Sequence, residues 1–207
     1  MLEGNGNLEI VTRHQSAATL AYLRSHSIVC SIFMPNTETL FETPWLTLYR
    51  IGTWDFVRRP QSDTCVGILA ITPAQEILLV EQFRIPLQKR VIEIPAGIVG
   101  DEPEFIGESL AETARRELLE EAGYRAENVD LLGISPTSSG MSSECIHLFQ
   151  ASGLTRETNG GGTESENITV HHLPLKELRA WLKGREEEGV LVDFKIFAAL
   201  AMAGIAV

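Results

Sequence analysis

Residues 108–124, ESLAETARRELLEEAGY, constrain this chain more than any other stretch. Glu108, Arg116, Glu117, Glu120, Glu121, Gly123 and Tyr124 fall in the spacing E-x7-R-E-L-x-E-E-x-G-Y. Ser109 and Glu112 have the spacing of a capping box, which starts a helix at Leu110. Gly123 is a natural helix stop. On that helix Glu117 and Glu121 lie within about 40° of each other, with Glu120 beside them. Like charges four residues apart destabilise an isolated helix, so keeping three together calls for a compensating cation. Arg116, four residues before Glu120, supplies part of it. A hard divalent ion on carboxylate oxygens would supply the rest. Leu110, Ala111, Ala114, Leu118 and Ala122 form an adjoining apolar arc. That arc is expected to pack on a sheet and leave the carboxylates facing a cleft.

The remaining composition narrows the classes of function. A chain of 207 residues with 44% hydrophobic content can bury a full core. Its formal charge of −11 argues against nucleic acid and anionic membranes as partners. The three cysteines, Cys30, Cys65 and Cys145, are scattered and odd in number, which argues against a zinc site or disulfide framework and fits a cytoplasmic protein. No apolar run is long enough to span a membrane. Residues 1–43 read as an N-terminal extension, in part poorly ordered; the apolar patch Ile28–Phe33 is too short and too late for a signal peptide, and Met34-Pro35 resembles a second start.

From residue 44 onward the pattern predicts strands, then the acidic helix, then strands, then helices. WLTLYRI (45–51) and WDFVRR (54–59) flank Gly52-Thr53 as a hairpin arm. Strands follow at 64–71, 76–83 and 91–95, and after the helix at 129–134, 144–151 and 167–173. Helices are expected over 175–183 and 191–203. The order predicts an α/β (α+β) domain, residues 44–207, with a mixed sheet sandwiched between helices.

The acidic helix resembles the signature box of the Nudix hydrolases, G-x5-E-x7-R-E-U-x-E-E-x-G-U with U apolar. The second half matches throughout. In the first half the glycine that matches is Gly97, eleven positions before Glu108, which implies a five-residue insertion within Asp101–Gly107. The insertion reads as a lengthened loop, cheap in closure entropy. Upstream, VEQFRIPL…VIEIPAG (80–97) is similar to the same region of ADP-ribose pyrophosphatases and related nucleotide-sugar hydrolases. The resemblance covers about residues 44–203.

This resemblance implies Mg²⁺, replaceable by Mn²⁺, held by Glu117, Glu121, Glu166 and the backbone carbonyl of Ala96, with Gly97 beside it. Glu120 would hold a further ion or its water, and Arg116 would orient the cluster. Arg84 would sit at the diphosphate. Glu93 points away from Ile92 and Ile94; it faces the nucleotide or serves a structural salt bridge. Glu164 and Glu166 follow the run Gly160-Gly161-Gly162, which is expected to let their loop swing over substrate. Glu164 is read as the general base, although the two could exchange roles. Ser139 and Gly140 would line a ribose pocket, and Trp45 would stack on the base, with the aromatics Tyr49, Trp54 and Phe56 divided between core and substrate. The function implied is hydrolysis of a nucleoside diphosphate sugar, with ADP-ribose giving AMP and ribose 5-phosphate, by a homodimer. A hydrolase for other nucleotide derivatives, such as dinucleoside polyphosphates, and a non-catalytic nucleotide-sugar sensor are the competing readings.

Overall fold

A computed structural model describes residues 36–162 and 167–206. The central layer is built from two four-stranded sheets. In the first, β7 (Ala96–Ile98), β4 (Thr64–Ala70), β10 (Cys145–Ser152) and β9 (Asn128–Pro136) lie in that order, with β4 and β10 parallel. In the second, β12 (Thr169–Pro174), β5 (Glu76–Arg84), β6 (Lys89–Glu93) and β13 (Leu191–Val192) follow one another. Helix α1 (Leu110–Ala122) covers one face, and α2 (Leu178–Glu187) and α3 (Lys195–Met202) cover the other.

The period-2 alternation of the strands sorts their side chains between these layers. On β4, Val66, Ile68 and Ala70 join Ala114, Leu118 and Ala122 of α1 in one core. Leu69, one residue out of phase, joins Leu178, Leu182, Ile196 and Leu200 in the other. On β5, Leu78 goes with α1, while Ile77 and Leu79 go with α2 and α3. Both faces of these strands are buried, which is why they read as near-continuous apolar runs.

A third sheet stands at the N-terminal end of the described residues. β1 (Thr37–Glu42), β2 (Thr47–Ile51) and β3 (Trp54–Arg58) form an antiparallel meander. The hairpin between β2 and β3 turns at Gly52, whose φ of 61° is easily adopted only without a side chain. β1 lies within the stretch read as extension; its pairing with β2 makes that part of the arm. The arm is tied to the loop before β10, with Val57 N–H donating to the Met141 carbonyl at 2.9 Å. All of this belongs to one unit, Ser31–Val207.

Several short elements differ from expectation. The segment 191–203 opens with the two-residue strand β13, parallel to β6, before the helix starts at Lys195. β7 is a three-residue strand that the P-A-G turn conceals. The insertion before α1 contains a 3₁₀ turn at Pro103–Phe105. Two-residue strands β8 (Tyr124–Arg125) and β11 (Thr155–Arg156) pair beside the end of α1. Among the described residues, no helix is long and apolar enough to cross a membrane.

The capping box at the start of α1 is complete: the Ser109 hydroxyl accepts from Glu112 N–H at 3.3 Å, and Glu112 Oε2 accepts from Ser109 N–H at 2.9 Å. Replacing Ser109 by Ala is expected to lower unfolding stability by about 1 kcal/mol. Urea titration would measure it, and an unchanged midpoint would mean the cap is dispensable.

Candidate active site

The site forms where α1 crosses β7. Glu117 and Glu121 lie one turn apart on the helix face that meets this strand, and both are buried, at 8% and 4% exposure. Glu121 Oε2 accepts a hydrogen bond from Ala96 N–H at 2.8 Å. A Cβ on Gly97 would lie 2.0 Å from the Glu117 carboxyl carbon, so only glycine leaves room for that side chain. The glycine matched to the box is therefore the floor on which Glu117 rests. The apolar arc draws the helix so close to the sheet that these two carboxylates are covered. Glu120 remains partly exposed.

Arg116 organises the cluster. Its Nε lies 3.3 Å from Glu108 Oε2, and its Nη1 lies 2.9 Å from Glu117 Oε1 and 3.5 Å from Glu120 Oε2. Thr113 Oγ1 donates to the same Glu108 oxygen at 3.0 Å. One guanidinium thus faces three carboxylates. Burial pushes the Glu117 carboxyl up to about 7; Arg116 pulls it down, while Glu120 and Asp101 push it further up. A buried set of hard oxygen donors fits a divalent cation. Among the described residues no three His, Cys, Asp or Glu side chains converge as a complete metal site. Glu164 and Glu166, read as base and further ligand, lie outside the described residues.

The glycine run before them is tied to the end of α1. Gly161 N–H donates to the Glu121 carbonyl at 2.8 Å, and Gly162 N–H to the Glu120 carbonyl at 3.1 Å. These bonds satisfy orphan carbonyls at the end of α1. A Cβ on Gly160 would meet the Glu121 carbonyl oxygen at 2.5 Å, and the φ of Gly160 is 64°. Gly160–Gly162 therefore fasten the chain to the helix end, and the loop they lead into lies outside the described residues.

Arg84 and Glu93 come together on the α1 side of the second sheet, with Arg84 Nε 2.8 Å from Glu93 Oε2. Glu93 is buried and Arg84 is partly exposed, in the field of Glu121 and Asp193. Glu93 thus makes the salt bridge that the alternation allowed. On the opposite face, buried Glu81 is held by Arg90 at 2.6 Å, His171 at 2.9 Å and Arg185 at 3.0 Å. Sequence reasoning missed this network because Arg185 is 104 positions away.

Ser139 and Gly140 line a cleft of about 340 Å³ between the arm and the loop before β10, together with Ile51, Trp54, Phe56 and Met141. Trp54 Nε1 donates to the Gly140 carbonyl at 3.2 Å. Trp45 is 78% exposed and lies outside this lining. Tyr49 and Phe56, opposite each other on β2 and β3, lie 5.8 Å apart between ring centroids, and Trp54, on the same face of β3 as Phe56, is exposed.

Residues 62–194 match the model of the NUDIX domain, well over half of the chain. The chain belongs to the Nudix family. Curated Nudix-region relatives include the methanol dehydrogenase activator of Bacillus methanolicus, 39% identical over 62% of this chain and 66% of that protein. The ADP-ribose pyrophosphatase of Bacillus subtilis is 36% identical over 58% of this chain and 63% of its own length. The GDP-mannose pyrophosphatase of Pectobacterium atrosepticum is 35% identical over 55% and 60%. The chain thus matches less than two thirds of the length of these relatives. A crystal structure of an ADP compounds hydrolase shares the fold, with a TM-score of 0.64 at 20% identity over 82% of this chain and 90% of that one.

The raised Glu117 carboxyl links the Nudix helix to pH. Between its ordinary value of 4.5 and about 7, the folded chain holds a proton that the unfolded chain releases. Stability from this group is therefore full below pH 4.5 and is lost as pH rises through about 7. The loss is expected to be roughly 3 kcal/mol at most. Urea titrations of the metal-free protein at about pH 5 and about pH 8 should show this decline. Glu117→Gln should flatten it, and a variant as steep as the parent would place the titration elsewhere.

Proposed function

We propose that this chain is a magnesium-dependent pyrophosphatase of nucleoside diphosphate sugars, cleaving ADP-ribose to AMP and ribose 5-phosphate. The observation that carries the reading is the buried pair Glu117 and Glu121 against Ala96 and Gly97. Two buried acids one helical turn apart are hard oxygen donors of the kind a divalent cation takes. Glu117, Glu121, Glu166 and the Ala96 carbonyl would hold the ion, with Glu120 at its edge. Held there, magnesium, or manganese in its place, would supply positive charge for the diphosphate and lower the pKa of the attacking water. Glu164 takes the proton from that water. Arg84, braced by Glu93, offers two parallel N–H donors to the diphosphate. Arg116 holds Glu108 and Glu117 in place.

The cleft at Ser139 and Gly140 would take the sugar or base, with Trp54 beside it and Trp45 free to close over a ligand from the arm. Its walls are chiefly apolar, which suits a ring held by stacking. The ADP-ribose and GDP-mannose pyrophosphatase relatives support the substrate class. We place the enzyme in the cytoplasm, where Cys65 and Cys145 stay free thiols. Exposed Phe41, Trp45 and Leu46 support pairing of two copies through the arm. Sedimentation is expected to give a homodimer, and a monomer at micromolar concentration would remove that part of the reading.

Incubation with ADP-ribose and Mg²⁺ should release AMP and ribose 5-phosphate. Glu121→Gln should reduce turnover by at least about a hundredfold while leaving the fold intact. Intact ADP-ribose beside cleaved GDP-mannose would reassign the sugar and base. No turnover across a nucleotide-sugar panel would leave a sensor in place of an enzyme.

A further inference from the structure

The insertion before α1 brings an aromatic ring onto the arginine of the acidic cluster. Phe105 closes the 3₁₀ turn Pro103–Phe105, and the Arg116 guanidinium carbon lies 4.0 Å from its ring centroid. The turn is tied into the chain at both ends: Phe105 N–H donates to the Glu102 carbonyl at 3.0 Å, and Glu108 N–H donates to the Phe105 carbonyl at 3.1 Å. Gly100 and Gly107, at φ 68° and 94°, let the backbone reverse on either side. The extra residues are thus folded back on α1 rather than left as a slack loop.

Arg116 needs such a partner. Its Nε and Nη1 face Glu108, Glu117 and Glu120, but buried Nη2 has no hydrogen-bond partner among the described residues. A guanidinium anchored along one edge can still pivot about that edge. An aromatic face fixes its plane, because the ring quadrupole attracts the cation and the contact area excludes water.

We propose that Phe105, supplied by the insertion, is a positioning residue that locks the Arg116 guanidinium over Glu108 and Glu117 and so sets the metal-holding carboxylate of Glu117. The inference rests on the metal-holding role given to Glu117 under the proposed function. It adds that this chain stiffens its metal site with residues the common form of the signature box lacks. Partners behind a metal ligand act by orienting it, and their loss weakens metal binding without changing the charge at the site. Replacing Phe105 leaves every charge in place, so only orientation changes.

The test compares Phe105→Leu, which keeps apolar bulk but has no π face, with Phe105→Tyr, which keeps the face. Mn²⁺ binding to the substrate-free protein is followed by electron paramagnetic resonance. Exchange of the Arg116 Nε proton is followed by NMR. Kinetics with ADP-ribose are measured alongside. Phe105→Leu is expected to weaken Mn²⁺ binding and speed Nε exchange, each on the order of tenfold. It should also lower kcat more than it raises KM. Phe105→Tyr should stay within about twofold of the parent in all three. Parent-like Mn²⁺ affinity and Nε exchange in Phe105→Leu would overturn the proposal, as would equal losses in both variants. A parent that binds Mn²⁺ yet cleaves no nucleotide sugar refutes the substrate reading alone, because the binding and exchange arms still decide the role of Phe105.

Discussion

The architecture turns on the contact between two glutamates and a strand of three residues. Glu117 and Glu121 are pressed against Ala96 and Gly97 because Ala114, Leu118 and Ala122, on the neighbouring arc of the same helix, are fully packed into the sheet. Small side chains at two of those three positions let the helix approach closely. The apolar burial is favourable and the acid burial is not, and the same rigid helix delivers both. Arg116 and the Ala96 N–H meet part of this cost without moving the helix. That coupling turns a helix that ought to be unfavourable in isolation into a stored demand for positive charge.

The helix is also acidic at the wrong end. Glu120 and Glu121 stand in its last turn, where the macrodipole favours cations, and the last turn carries no basic residue. Backbone amides offset this. Gly123, Gly161 and Gly162 all donate to carbonyls of that turn. At Gly123 a Cβ would strike the Thr158 carbonyl oxygen at 2.5 Å, so the glycines allow two backbone segments to meet where side chains would hold them apart. The segment leading toward Glu164 and Glu166 is thereby registered on the helix that carries Glu120 and Glu121.

Much of this arrangement was legible in the sequence, and the reasons differ by element. The capping box and the Gly123 stop follow from local hydrogen-bonding rules and appear as read. The strands of the central layer were legible from their apolar runs. The opposite orientation of Glu93 to Ile92 and Ile94 followed from alternation, which also places Arg84 and Glu93 on the α1 side and Glu81 and Arg90 on the α2 side. What alternation cannot supply is the identity of the surface opposite. A helical wheel groups Glu117 with Glu121 but does not say that β7 covers them. Strands of two or three residues, such as β13 and β7, are too short to show any period. Phe105 was invisible as a partner of Arg116, because its place depends on how the insertion folds back.

The two charge networks explain why parity matters so much here. Glu93 and Glu81 are both buried acids on paired neighbouring strands, β6 and β5, yet they serve different layers. Glu81 is matched by Arg90, Arg185 and His171, so its charge is satisfied within the fold and joins α2 to the sheet. Glu93 is matched by Arg84, whose guanidinium remains partly exposed and also lies in the field of Glu121. An acid matched by three basic side chains leaves no free charge for a ligand, whereas a partly exposed cation fixed by one buried acid can still meet an anion. Side-chain alternation on two adjacent strands thus separates a structural ion cluster from a candidate phosphate-facing one, within the same short run VEQFR.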